Sequence, residues 1–155
     1  MKKSQRWAAG AVAAVAVISL ASVTVANQAV PDFFETTRTI TIKGQVGGFT
    51  SPGQTNPFYL HVNVPTNKDA KERWMIAGRN RPGLIKLGWL FGDNGNLKTG
   101  DMVTVTAYPL KSSVSVNDAL ENVPTRVVEE MKPGRLAHGI EVSVAGGATR
   151  AWGER

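Results

Sequence analysis

An all-β domain, a small barrel of five short strands with a helix between the third and fourth, is the fold class this sequence predicts. Three observations lead there. Several segments alternate apolar with polar residues at period two, and their apolar members are mostly Ile, Val and Leu. Clusters of Gly, Pro and Asn punctuate those segments at short intervals. Between the third and fourth of them, near Pro82, the pattern changes to a helical start, spacing and stop.

The chain begins with a segment of another kind. Lys2, Lys3 and Arg6 are followed by an uncharged run from Trp7 to Val25, rich in Ala and Val, and then by Thr24-Val25-Ala26 before Asn27-Gln28. Positive start, apolar middle and small-residue exit are the three parts of a secretory signal peptide. Residues 1–26 are therefore expected to be removed on export, with cleavage after Ala26 and Ala29 as the second position. The alternative is a retained anchor, because the run approaches the roughly 20 residues that span a bilayer. Membrane contact is expected only through this segment, if it stays uncleaved. The expected location is the periplasm.

Without the signal about 130 residues remain, the size of one domain and enough for a real core. The formal charge of +6 includes Lys2, Lys3 and Arg6. The mature chain is therefore only mildly basic, and no nucleic-acid partner is expected. There is no cysteine. That excludes disulfides, thiolate metal sites, covalently attached haem, cysteine nucleophiles and a lipid anchor on cysteine. Stability has to come from the core.

Residues 27–37 read as an extended lead-in, and residues 38–145 as the barrel domain. In the first strand Ile40, Ile42 and Val46 alternate with Thr41, Lys43 and Gln45, and Gly44, Gly47 and Gly48 suggest a bulge or a sharp bend. A loop from Ser51 to Pro57 leads to the second strand. There Phe58, Leu60, Val62 and Val64 share one face, and Tyr59, His61 and Asn63 the other. The third strand, Arg73 to Ala77, places Trp74 and Ile76 on the core face, opposite Arg73 and Met75. Pro82 to Leu87 is the helix, with Pro in its first turn, Leu84 and Leu87 one turn apart and Gly88 as its stop. Trp89 returns to the core. Turns at Asp93–Asn96 and Leu97–Asp101 feed the fourth strand, where Val103, Val105 and Ala107 oppose Thr104, Thr106 and Tyr108 up to Pro109. Residues 111–139 form a polar excursion, with an added strand expected near Val114 and Val116 and a helix near Thr125 to Met131. The last strand is Ile140, Val142 and Val144. Residues 146–155 read as a flexible tail. Strand, strand, strand, helix, strand, excursion, strand is the order of the OB-fold, a five-stranded Greek-key barrel. A small open sandwich or roll is the alternative.

Gly44-x-Val46-x-x-Phe49, Asn56-Pro57, Trp74, Gly88-Trp89, Leu97-Lys98-x-Gly100-Asp101-x-Val103-Thr104-Val105 and Pro109 resemble, in order and spacing, the exported bacterial proteins of the domain of unknown function 6152 family. The resemblance spans residues 40–110 and implies an exported, OB-like barrel with no established activity. It also implies a His pair just after the signal, a His after Asn-Pro and a Glu in the strand after the Trp. Here those places hold Val30-Pro31-Asp32-Phe33-Phe34, Phe58 and Ala77. A polar or metal site built on those groups would be lost or altered in this chain.

His61 and His138 are the only histidines. No ligand-type spacing joins them, so they read as solvated or rim residues, and no metal or other cofactor is expected. Asp93-Asn94-Gly95-Asn96 lacks the alternating ligands of a calcium loop and reads as a turn. Glu129-Glu130, the one carboxylate pair, is a solvated surface. No nucleophile motif or phosphate loop occurs. The expectation is a non-enzymatic domain that binds a small ligand or an envelope protein across the second and third strands, as OB-folds do. The candidate binding residues are Tyr59, His61, Arg73, Arg79 and Arg81. A structural or assembly accessory working through a free strand edge is the alternative, and an enzyme with an unfamiliar site a third. A concave patch joining the arginines to a carboxylate would favour ligand binding. A flat, apolar, unpaired edge would favour assembly.

Overall fold

The computed structural model describes residues 30–67 and 69–155; the expected signal segment and both cleavage positions lie outside them. Six strands form one sheet: β1 (Ile40–Thr50), β2 (Tyr59–Pro65), β3 (Lys71–Ala77), β4 (Met102–Pro109), β5 (Arg135–Val144) and β6 (Thr149–Ala151). The helices are α1 (Arg81–Lys86), α2 (Val116–Ala119) and α3 (Thr125–Met131). No helix among the described residues is long and apolar enough to cross a membrane.

The sheet runs β3-β2-β1-β4-β5-β6, and a parallel pairing of β3 with β5 closes the first five strands into a barrel. All other pairings are antiparallel. This is the OB topology expected from the order of elements. Closure uses only the start of β5, where Trp74 faces Arg135 and Ala77 faces His138. Further along, the same edge of β5 is taken over by β6. The glycines of β1 act as anticipated: the register slips between Val46 and Gly48, so Gly47 is the extra residue of a bulge.

The period-two residues fill the barrel interior. Ile42, Val46, Leu60, Val62, Ile76, Val103, Val105 and Val142 are buried there in one cluster. Helix α1 closes one end and buries Leu84. The Asn80 side chain caps that helix by accepting from the Gly83 N–H at 3.0 Å. Gly88, at φ +93°, stops it in a conformation that favours glycine. Trp89 is core, as expected, and its indole N–H donates to the Ala151 carbonyl at 2.8 Å.

A second apolar cluster lies outside the barrel wall and corrects several expectations. Tyr59, Met75, Tyr108, Leu136 and Ile140 on the outer faces of the strands pack with Phe34 of the lead-in and with Leu120, Val123 and Met131 of the excursion. Strands that alternate in sequence are thus covered on both sides, because Tyr, Met and His at the outward positions are apolar enough to bury. The excursion ends earlier than expected, since β5 begins at Arg135 and takes in His138. The strand expected near Val114 is replaced by α2, capped by Ser115, whose hydroxyl accepts from the Asp118 N–H. The C-terminal residues are built in rather than loose: β6 pairs with β5, and Trp152 is 0% exposed. Trp74 is on the predicted face but sits half-buried at the barrel's rim, with the Arg135 guanidinium 5.4 Å from its ring centroid.

Candidate functional site

A cavity of about 100 Å³ opens where the lead-in crosses the barrel's outer wall. Pro31, Phe33 and Phe34 form one side. Tyr59 of β2, Ala77 of β3 and Leu136 and His138 of β5 form the floor. Ala119 of α2, Pro57, Arg79 and Glu154 complete it. The walls are mostly apolar, and the polar groups gather at the end where the C-terminal residues return.

The first is an ion pair, Arg79 Nη2 to Glu154 Oε1 at 2.6 Å, which is about two-thirds or more buried on both sides. It exists because Trp152 is anchored in the core and its carbonyl accepts from the Arg79 N–H at 3.1 Å, which delivers Glu154 to the arginine. The second is His138. The Glu154 carbonyl can only accept, so His138 Nε2 carries the hydrogen and donates to it at 3.0 Å. Burial lowers the pKa of His138, and this bond to Glu154 opposes the shift. Its ring stacks with Tyr108 at 6.3 Å and leans on Phe34 at 5.5 Å. Tyr59 is the remaining polar side chain on the floor; burial pushes its pKa up to about 12, so its hydroxyl stays protonated.

Of the five residues expected to bind, Tyr59 and Arg79 line this cavity. His61 and Arg73 form a separate cluster. A guanidinium has only donors, so Arg73 Nη2 donates to His61 Nδ1 at 3.1 Å, and His61 Nε2–H then donates to Thr50 Oγ1 at 2.7 Å. Arg73 Nη1 donates to the Met131 carbonyl at 3.0 Å and ties the end of α3 to the barrel. Contrary to expectation, neither histidine is a solvated or rim residue: His61 is 6% exposed, held between Arg73 and Thr50, and His138 is 5% exposed, packed against Phe34, Tyr108 and the returning C-terminal residues. Arg81 is exposed on α1 and borders a different, shallow depression with Ser51, Gln54 and Ile85.

The His61 cluster is a clamp whose state depends on pH. Burial first, and the charge of Arg73 second, lower the His61 pKa from 6.5 to about 4. The folded protein therefore holds the ring neutral where the unfolded chain already takes up a proton. Stability contributed by the neutral ring is complete above pH 6.5 and is lost as pH falls from 6.5 towards 4. We expect a loss on the order of 2 kcal/mol across that window after discount for partial solvation. Urea midpoints measured at pH 7.5 and pH 4.5 check it: His61→Gln should flatten the dependence, and an equal slope in both proteins would contradict the assignment.

Sequence reasoning missed Glu154, His138, Phe33 and Phe34. Glu154 carries no local signal, since only the burial of Trp152 brings it to the site. His138 was hidden by a strand read too short. The Phe33-Phe34 pair was the one legible sign, two adjacent aromatics in a segment otherwise read as a plain lead-in.

The model of a family of unknown function, DUF6152, matches residues 13–117, about two thirds of the chain. No curated protein matches it. The match takes in the lead-in, β1 to β4 and α1, and stops before β5. Two of the places where the chain departs from the resemblance, Phe33-Phe34 and Ala77, lie on the cavity wall, whereas Phe58 is inside the barrel. The chain belongs to the DUF6152 family, whose function is unknown, and the match covers the first four strands of a closed five-stranded β-barrel.

Proposed function

We propose that the protein is exported to the periplasm and there binds a small, mostly apolar ligand in the cavity between the lead-in and β2, β3 and β5. One observation carries the reading: an apolar cavity walled by Phe33, Phe34, Tyr59 and Leu136 has an arginine–carboxylate pair at one end. Such a mix of apolar wall and few polar anchors is the usual make-up of a small-molecule site. Its volume is about two thirds of the roughly 150 Å³ that holds a benzene molecule in a dry engineered cavity, and it is open on one side, which limits the enclosed part of a ligand to about the size of one ring. The assembly reading finds less support, because β3 and β5 close the barrel and the outermost strand, β6, spans only Thr149–Ala151.

Two measurements test the two halves. Protein recovered from the periplasm of expressing cells should have the mass left by cleavage after Ala26 or Ala29. A full-length species held in the membrane fraction would refute the export half. Benzyl alcohol should give saturation-transfer signals in ligand-observed NMR with the wild-type protein. Ala119→Trp, which fills the cavity mouth from α2, should abolish them without lowering the urea midpoint. Equal signals from wild type and variant, or none from wild type, would sink the binding half.

A further inference from the structure

Arg79 is the only cation on the cavity wall among the described residues, and its charge is answered from within the chain. The way it is answered is incomplete. Glu154 Oε1 lies 2.6 Å from Arg79 Nη2, yet among the described residues this oxygen has no hydrogen bond of good geometry, and the buried Arg79 Nε has no partner. A guanidinium offers a carboxylate two parallel N–H donors, and such forked pairs are the strong ones. Glu154 leaves that fork largely unused. Its approach is constrained by the backbone: Trp152 is locked in the core, Gly153 is buried against His138, and the Glu154 carbonyl is held by His138 Nε2. A carboxylate on a free ligand, entering from the cavity, has no such constraint.

We propose that the cavity takes a monocarboxylic acid with an apolar body about the size of one ring, and that Glu154 is an internal counter-ion which the ligand's carboxylate displaces from Arg79. This inference rests on the ligand-binding reading of the same cavity. Phe33, Phe34 and Leu136 hold the apolar body, and Arg79 takes the carboxylate on its unused fork. Displaced Glu154 turns its carboxylate towards solvent, while its carbonyl stays on His138. A neutral molecule of the same shape gains only the apolar walls and leaves the Arg79–Glu154 pair in place.

Benzoate and benzyl alcohol, matched in size and different in charge, separate these contributions when titrated by NMR into the wild type, Glu154→Gln and Arg79→Gln. Glu154→Gln should bind benzoate about tenfold more tightly than the wild type, with benzyl alcohol changed less than twofold. A gain of affinity cannot arise from misfolding, so this arm stands on its own. Arg79→Gln should lose most of its benzoate binding and keep benzyl alcohol, and Arg79→Lys should fall between, because an ammonium lacks the fork. If benzyl alcohol binds but Glu154→Gln leaves benzoate no tighter, the counter-ion inference is wrong and the ligand cavity stands. If neither probe binds any of the proteins, the ligand reading fails and takes this inference with it.

Discussion

Trp152→Ala is expected to destabilise the protein by about 3–5 kcal/mol, through lost burial and the cavity left behind. The ring is 0% exposed. It meets Trp89 edge-on at 5.7 Å, and Phe58 and Phe91 lie within reach at 6.1 and 6.2 Å. It fits only because two positions, Gly78 just after β3 and Gly139 in the middle of β5, have no side chain. A Cβ on Gly78 would come within 2.6 Å of the indole Nε1, and one on Gly139 within 2.6 Å of Cδ1. A slot shaped so closely around one ring has no smaller residue to collapse onto it. A domain of this size has only roughly 5–15 kcal/mol to lose, so the urea midpoint should fall sharply. Arg81→Ala, at an exposed position, should move it by less than about 0.5 kcal/mol. Trp152→Ala should also loosen the Arg79–Glu154 pair, since Trp152 delivers Glu154 to Arg79. A Trp152→Ala protein of near-normal midpoint would mean that the C-terminal residues are not part of the core.

Gly44→Ala should cost about 3 kcal/mol, at the upper end of what overpacking usually takes. Gly44 is buried in β1 where the strand passes across β2. A Cβ there would land on the Asn63 carbonyl oxygen, closer than a real Cβ ever lies, and 2.9 Å from Val62 Cγ1. The obstacle is β2 backbone at the end of the β1–β2 ladder, beside the Gln45–Asn63 pair, so relief requires β1 and β2 to part there. Gly47→Ala is the matched control. A Cβ at Gly47 meets the Asn63 side-chain amide, 2.6 Å from Nδ2, and the far end of a flexible side chain can turn away. Its cost should stay below about 1 kcal/mol. Equal midpoints for the two alanine variants would show that β1 can shift at Gly44, contrary to the packing described here.

His61, Tyr59 and Met75 show where reading the sequence stops. Their parity was legible: each alternates with a barrel-interior neighbour, and each does point away from the interior. Their surroundings were not. Whether an outward side chain meets water or a second layer depends on residues far along the chain, here Leu120, Val123 and Met131. The polar appearance of residues 111–134 gave no sign that three apolar side chains would fold onto the sheet. Glu154 is a stronger case, because its partner Arg79 lies far away in sequence and the contact follows from the burial of Trp152 between them. Arg79 was singled out with Arg73 and Arg81 as a candidate binding residue. The fold disperses that group to a helix clamp, a cavity wall and an exposed helix.

By itself the sequence determined the order of the five barrel strands and α1, the interior face of those strands, a bulge among the glycines of β1 and the first turn and stop of α1. These depend on local chemistry: period-two alternation, a Pro in a first turn, and glycine where the backbone turns or slips. Only the tertiary structure decided that β3 meets β5, that the excursion and the lead-in cover the outer wall, and that the last residues return to set Glu154 beside Arg79. Those outcomes come from burial between segments distant in the chain. Apolar area is removed from water wherever two surfaces fit, without direction and without a local sequence mark.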